Sequence, residues 1–91
     1  MADFKFLHVG ISFDGPAKIA ELEPIFDKAN DWLRYAANCW ILRTSNPPQV
    51  WSERIRKVLG EKDTFLICEI DLSNRQGWLY PKTWEWINRK R

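Results

Sequence analysis

Between Phe4 and Phe13 the chain alternates with a period of two. Leu7, Val9, Ile11 and Phe13 form one set, and Phe6, His8, Gly10 and Ser12 form the other. Successive side chains of a strand point to opposite faces, so this run predicts a strand with one strongly apolar face. Asp14-Gly15-Pro16 follows with turn chemistry, and Pro16 suits the first position of a helix. Ile19, Leu22, Phe26 and Ala29 then recur at helical spacing, which predicts a helix over 16–30. Pro24 removes a backbone donor within it, so a kink or two short helices in tandem are expected.

The next apolar stretch predicts strands at about 32–37 and 39–44, joined near Asn38; one long bent strand is the competing reading. Ser45-Asn46-Pro47-Pro48 reads as a helix start, Trp51, Ile55, Val58 and Leu59 as its apolar stripe, and Gly60 as its closing residue. The run 64–72 predicts the last strand, and Pro81 begins a short helix through Trp84, Trp86 and Ile87. The order is strand, helix, strand, strand, helix, strand, then one more helix. It predicts an α+β fold, a ferredoxin-like βαββαβ sandwich with an extra C-terminal helix. One domain spans 1–91, with a core of about 4–72 and a Trp-rich extension of about 77–91.

On this reading Leu7, Val9, Ile11, Trp40, Leu42, Leu66, Cys68 and Ile70 face the helices. The other face then shows Phe6, His8, Ser12, Ile41, Arg43, Phe65, Ile67 and Glu69. That set is too apolar for a bare surface. A second subunit, the tail helix or a nucleic acid is expected to cover it.

The chain has 91 residues, 14 Lys+Arg against 12 Asp+Glu and a formal charge of +2. Residues 46–91 carry +3 and the first half −1, a mild asymmetry that does not by itself mark a nucleic-acid binder. No apolar run approaches the ~18 residues of a membrane span, and Met1-Ala2-Asp3 begins no signal peptide. A cytoplasmic protein without a membrane partner is expected. Cys39 and Cys68 sit in apolar runs and read as buried reduced thiols, with a disulfide between neighbouring strands as the alternative. Walker, Rossmann, GxSxG and HExxH motifs are absent from the sequence.

Candidate site residues are few. Asp14 closes the first strand, where a carboxylate can hold Mg²⁺ with a symmetry mate; it can equally cap the helix at Pro16. His8 lies mid-strand, either as a structural residue or as a ligand or base. Ser12 and Arg43 are candidates for phosphate contacts. Phe4, Phe6 and Phe65 are candidates for a stacking platform, as in RNA-recognition modules, although the third strand lacks the signature of those modules. Six tryptophans are present. Trp32, Trp40 and Trp51 read as core, whereas Trp78, Trp84 and Trp86 of the tail are divided between core and a binding surface.

The run Asn38-Cys39-Trp40-Ile41-Leu42-Arg43-Thr44-Ser45, the helix with Trp51 and Ile55, and Lys62-Asp63-Thr64-Phe65-Leu66-Ile67 together resemble the small SinR-like proteins. Those look like relatives of the CRISPR adaptation nuclease-like proteins and of VapD-type toxins. Phe13-Asp14 is similar to the strand-terminal aspartate of the adaptation proteins. The resemblance covers about residues 4–72. It implies a ferredoxin-like homodimer packed through its sheets. In some relatives it implies a metal-dependent nuclease with paired aspartates, for which only Asp14 carries over. The tail from Gly77 to Trp86 has no counterpart in the nuclease-like proteins.

The function expected is a non-catalytic interaction module. It would dimerise or bind a protein partner through the open sheet face or the Trp-rich tail, in a toxin, defence or mobile-element setting. The alternatives are a nuclease-like or nucleic-acid-binding dimer with Asp14 on Mg²⁺, and small-ligand binding at a dimer cavity.

Overall fold

The computed structural model describes residues 3–91. Four strands and three helices follow in the order β1 (Lys5–Ser12), α1 (Ile19–Phe26), β2 (Asp31–Ala36), β3 (Cys39–Thr44), α2 (Pro48–Arg56), β4 (Thr64–Ile70) and α3 (Pro81–Asn88). The strands form one sheet in the order β2-β3-β1-β4, and every neighbouring pair is antiparallel. The fold is α+β. No helix among the described residues is long and apolar enough to cross a membrane.

The alternation in β1 sets the inner face. Leu7 and Val9 are fully buried and Ile11 nearly so. Leu42 lies opposite Leu7 and Trp40 opposite Val9, which puts both on the same face. α1 adds Leu22 and Phe26, and α2 adds Trp51 and Ile55, all buried in one core. The Trp51 indole N–H donates to the Thr44 hydroxyl at 3.3 Å, satisfying a polar group that burial would otherwise strand. Of the three tryptophans expected in the core, Trp40 and Trp51 are fully buried. Trp32 is half-buried against Phe26 and donates to Asp27 at 2.9 Å.

The β4 phase corrects the expectation. Phe65, Ile67 and Glu69 lie opposite Ile11, Val9 and Leu7, and so share the inner face. Leu66, Cys68 and Ile70 lie opposite Gly10, His8 and Phe6, on the outer face. Both sets are largely apolar, so alternation alone could not choose between them, and a one-residue slip exchanges the faces. Phe65 and Ile67 pack on the core, whereas Leu66 is 66% exposed. Phe65 therefore cannot join Phe6 in an outer-face stacking platform.

Helix boundaries also differ. α1 covers eight residues, carries Pro24 inside it and has no side-chain cap. Residues 13–18 instead form a held loop, in which Gly15 adopts φ +105°, a conformation that favours glycine. Asp14 thus does not cap this helix. α2 ends at Arg56, and Gly60 supplies no left-handed closure. The Ala37–Asn38 turn separates β2 from β3, so one long strand is excluded.

The cysteines are free. Cys68 is exposed and Cys39 half-buried, which corrects the expectation that both are buried. They lie on β4 and β3 with β1 between them. Two strand spacings, about 10 Å, exceed the reach of a disulfide.

α3 accounts for most of the outer face. It packs against β2, and the Trp86 ring meets Phe6 edge-on with centroids 6.0 Å apart. Trp86 is 7% exposed, and Ile41 on the same face is buried too. The tail helix is the cover that the apolar outer face required over β1–β3. On β4, Leu66 and Cys68 remain exposed.

Candidate functional site

Asp14 lies in the loop after β1, exposed to solvent. Its backbone N–H donates to Asp63 Oδ1 at 2.7 Å. Asp63 Oδ2 accepts Lys18 Nζ at 2.5 Å and the Gly60 N–H at 2.7 Å. The Asp63 side chain is 2% exposed and so is enclosed by its own partners. The Lys18 ammonium and the two backbone donors hold its carboxyl well below the usual value, at about 2. Asp63 is not among the sequence candidates, and its partners Asp14 and Lys18 lie far from it in the chain.

This geometry does not fit a Mg²⁺ site within one chain. Asp14 offers a single carboxylate, and Asp63, the acid its backbone bonds, is already shared among three donors. No group of three or more potential metal-ligating side chains occurs among the described residues.

The remaining candidates fall at opposite ends of β1. Ser12, exposed, lies beside Asp14. Phe6 and Arg43 lie opposite one another at the other end. Phe6 and Ser12 are six residues apart along a strand, or about 20 Å. Arg43 therefore cannot support phosphate contacts at Asp14 of the same chain.

Phe6, Arg43 and Trp86 do come together. A cavity of about 640 Å³ at this end is lined by Phe4, Phe6, Arg43, Arg75, Arg89 and Arg91, among others. Arg43 lies 4.2 Å over the Phe4 ring and donates to Asn30. Arg91 lies 4.6 Å over Trp86 and donates to Asp31 at 3.1 Å, and Arg89 reaches the same carboxylate at 3.3 Å. Partial burial raises the Asp31 carboxyl, but Trp86, Arg91 and the Trp32 backbone lower it by more, leaving it below the ordinary value. The Trp86 indole N–H is close enough to favour this carboxylate, yet it makes no hydrogen bond of normal geometry.

His8 faces Tyr35 across the outer face, with Nε2 and the phenol oxygen 2.5 Å apart. Burial, with Cys39 beside it, pushes the Tyr35 hydroxyl above its ordinary value. The phenol stays protonated at neutral pH and can donate to Nε2, a structural role for His8. Trp84 is half-buried and close to Gly77. Trp78 is fully exposed and Tyr80 is 83% exposed.

The uncovered region is the β4 side. β4 is an edge strand, with Leu66 and Cys68 exposed on its outer face. On its inner side a groove of about 550 Å³ runs between β4 and α2, lined by Pro48, Ser52, Arg56, Phe65 and Ile67. Comparison with protein families, with curated proteins and with solved structures returned no match.

Proposed function

We propose that this chain is a non-catalytic interaction module of ferredoxin-like fold that pairs with a second copy of itself through the edge of β4. The sheet order, read as β4-β1-β3-β2 with all pairs antiparallel and both α1 and α2 on one face, supports the ferredoxin-like assignment. The observation that carries the pairing is Leu66, 66% exposed on an edge strand that has no further strand beside it among the described residues. Exposed apolar edges invite strand addition, and protein chains commonly protect or use them.

Charge and register favour a second copy as the occupant. In an antiparallel pair centred on Ile67, Leu66 meets the partner's Cys68, and Phe65 meets the partner's Glu69. The incoming Glu69 then enters the groove that Arg56 lines beside Phe65. Within its own chain the Glu69 side chain is 62% exposed, and its one ion pair is a long 3.8 Å contact with Lys5.

Sedimentation velocity on wild type and Leu66→Lys tests this. Wild type sediments as a concentration-dependent dimer, and the folded variant sediments as a monomer. A wild type that stays monomeric at high concentration overturns the proposal.

The alternative is a nuclease-like dimer with Asp14 as a metal ligand. Its support is the exposed Asp14 carboxylate, which makes no hydrogen bond among the described residues. Mg²⁺-dependent cleavage of RNA or DNA that disappears in Asp14→Ala would replace the non-catalytic reading.

A further inference from the structure

The cavity at the Phe6 end carries charge that the described residues do not neutralise. Among the described residues Arg43 and Arg75 form no ion pair. Neutral groups orient both: Arg43 donates to Asn30, and Arg75 donates to the Leu72 carbonyl at 2.8 Å and to Asn88. Arg89 and Arg91, in the same lining, share the single carboxylate of Asp31. Lys5 is also in the lining and faces Glu69, while Asp71 accepts the Ser73 N–H. Counting Asp31, these residues leave a net +2 around one cavity.

Each guanidinium has five donors in a rigid fork. Arg43 and Arg75 use only part of theirs on neutral acceptors, so N–H groups remain for an anion. A phosphate dianion matches two such forks better than a single carboxylate does. The lining also includes the apolar side chains of Phe6, Ile70 and Ile87. Its volume, about 640 Å³, falls in the range of small-molecule sites.

We infer that this cavity binds a small phosphomonoester with an aromatic or apolar body, the phosphate between Arg43 and Arg75 and the body against Phe6 and Ile87. The inference does not rest on pairing through β4.

Phenyl phosphate, inorganic phosphate and phenol are the probes. The readouts are calorimetry and the arginine Nε–H signals in ¹H–¹⁵N spectra. Phenyl phosphate saturably shifts the Arg43 and Arg75 signals, inorganic phosphate binds more weakly, and phenol does not bind. Arg75→Gln, in an exposed loop, weakens phenyl phosphate about tenfold or more with unchanged circular dichroism, the loss expected for a charge-assisted contact. Lys57→Gln on α2 binds as wild type does. Three results would overturn the inference: no saturable shift, undiminished binding by Arg75→Gln, or inorganic phosphate binding as tightly as phenyl phosphate.

Discussion

The Asp63 carboxylate accepts the backbone N–H of Asp14 at 2.7 Å, and so ties the loop after β1 to the start of β4. The residue that organises this loop is thus Asp63, with Lys18 and Gly60 as its other donors. Its carboxyl is depressed from 3.8 to about 2. A depressed carboxylate adds stability above its unfolded value and loses it as pH falls through the folded one. Stability should therefore drop between about pH 4 and pH 2, and Asp63→Asn should flatten that part of the profile. Urea midpoints measured across this range check the prediction. An unchanged slope in the variant would show that Asp63 holds nothing together.

The buried Trp51 indole N–H has one acceptor, the Thr44 hydroxyl. Thr44→Val keeps the shape and removes the acceptor, which should cost about 1–3 kcal/mol. Trp51→Ala removes a fully buried ring and should cost about 3–5 kcal/mol. Denaturant unfolding of both variants, with equal m-values, checks the order.

α3 is held by Trp86 against Phe6 and by Arg89 and Arg91 on Asp31. Trp86→Ala should release it from the sheet at a cost of about 3 kcal/mol. The Arg89 side chain is 55% exposed, so its pair with Asp31 should contribute less than about 1 kcal/mol. Amide exchange at Ile41, buried on the face that α3 covers, should accelerate in Trp86→Ala and change little in Arg89→Ala. Equal acceleration in both would make the ion pairs the main attachment.

How much of this was legible in the residues differs by element. β1 was readable because its two sets differ sharply in polarity. β4 was not, because Phe65 and Ile67 are as apolar as Leu66 and Ile70, and only pairing with β1 sets the phase. The helical stripes of Leu22, Phe26, Trp51 and Ile55 predicted the core, but the start of α1 was hidden by Pro16, which reads as a helix opener. Among the candidate residues, Phe6, Arg43 and Trp86 converge, while Asp14 and Ser12 lie at the far end of the same strand. Asp63 was hidden because its partners Asp14 and Lys18 lie far from it in the chain. Gly60, three residues before it, is the one local signal.

Cys68 is exposed on the strand whose edge pairing would use, and Cys39 is half-buried. In dilute protein Cys68 should react with a disulfide reagent faster than Cys39. In concentrated protein its rate should fall as the partner's Leu66 covers it. Quenched labelling followed by peptide mass spectrometry reads both sites. A Cys68 rate independent of protein concentration would argue against pairing at this edge.

The most direct test of pairing through β4 is a charge swap read by sedimentation equilibrium. Glu69→Arg and Arg56→Glu each set like charges together in both symmetry-related grooves, and each should weaken the dimer about three- to tenfold. The double variant restores opposite charges and should recover most of the wild-type affinity. Single variants that dimerise as wild type does, or a double variant no tighter than either single, would contradict pairing centred on Ile67.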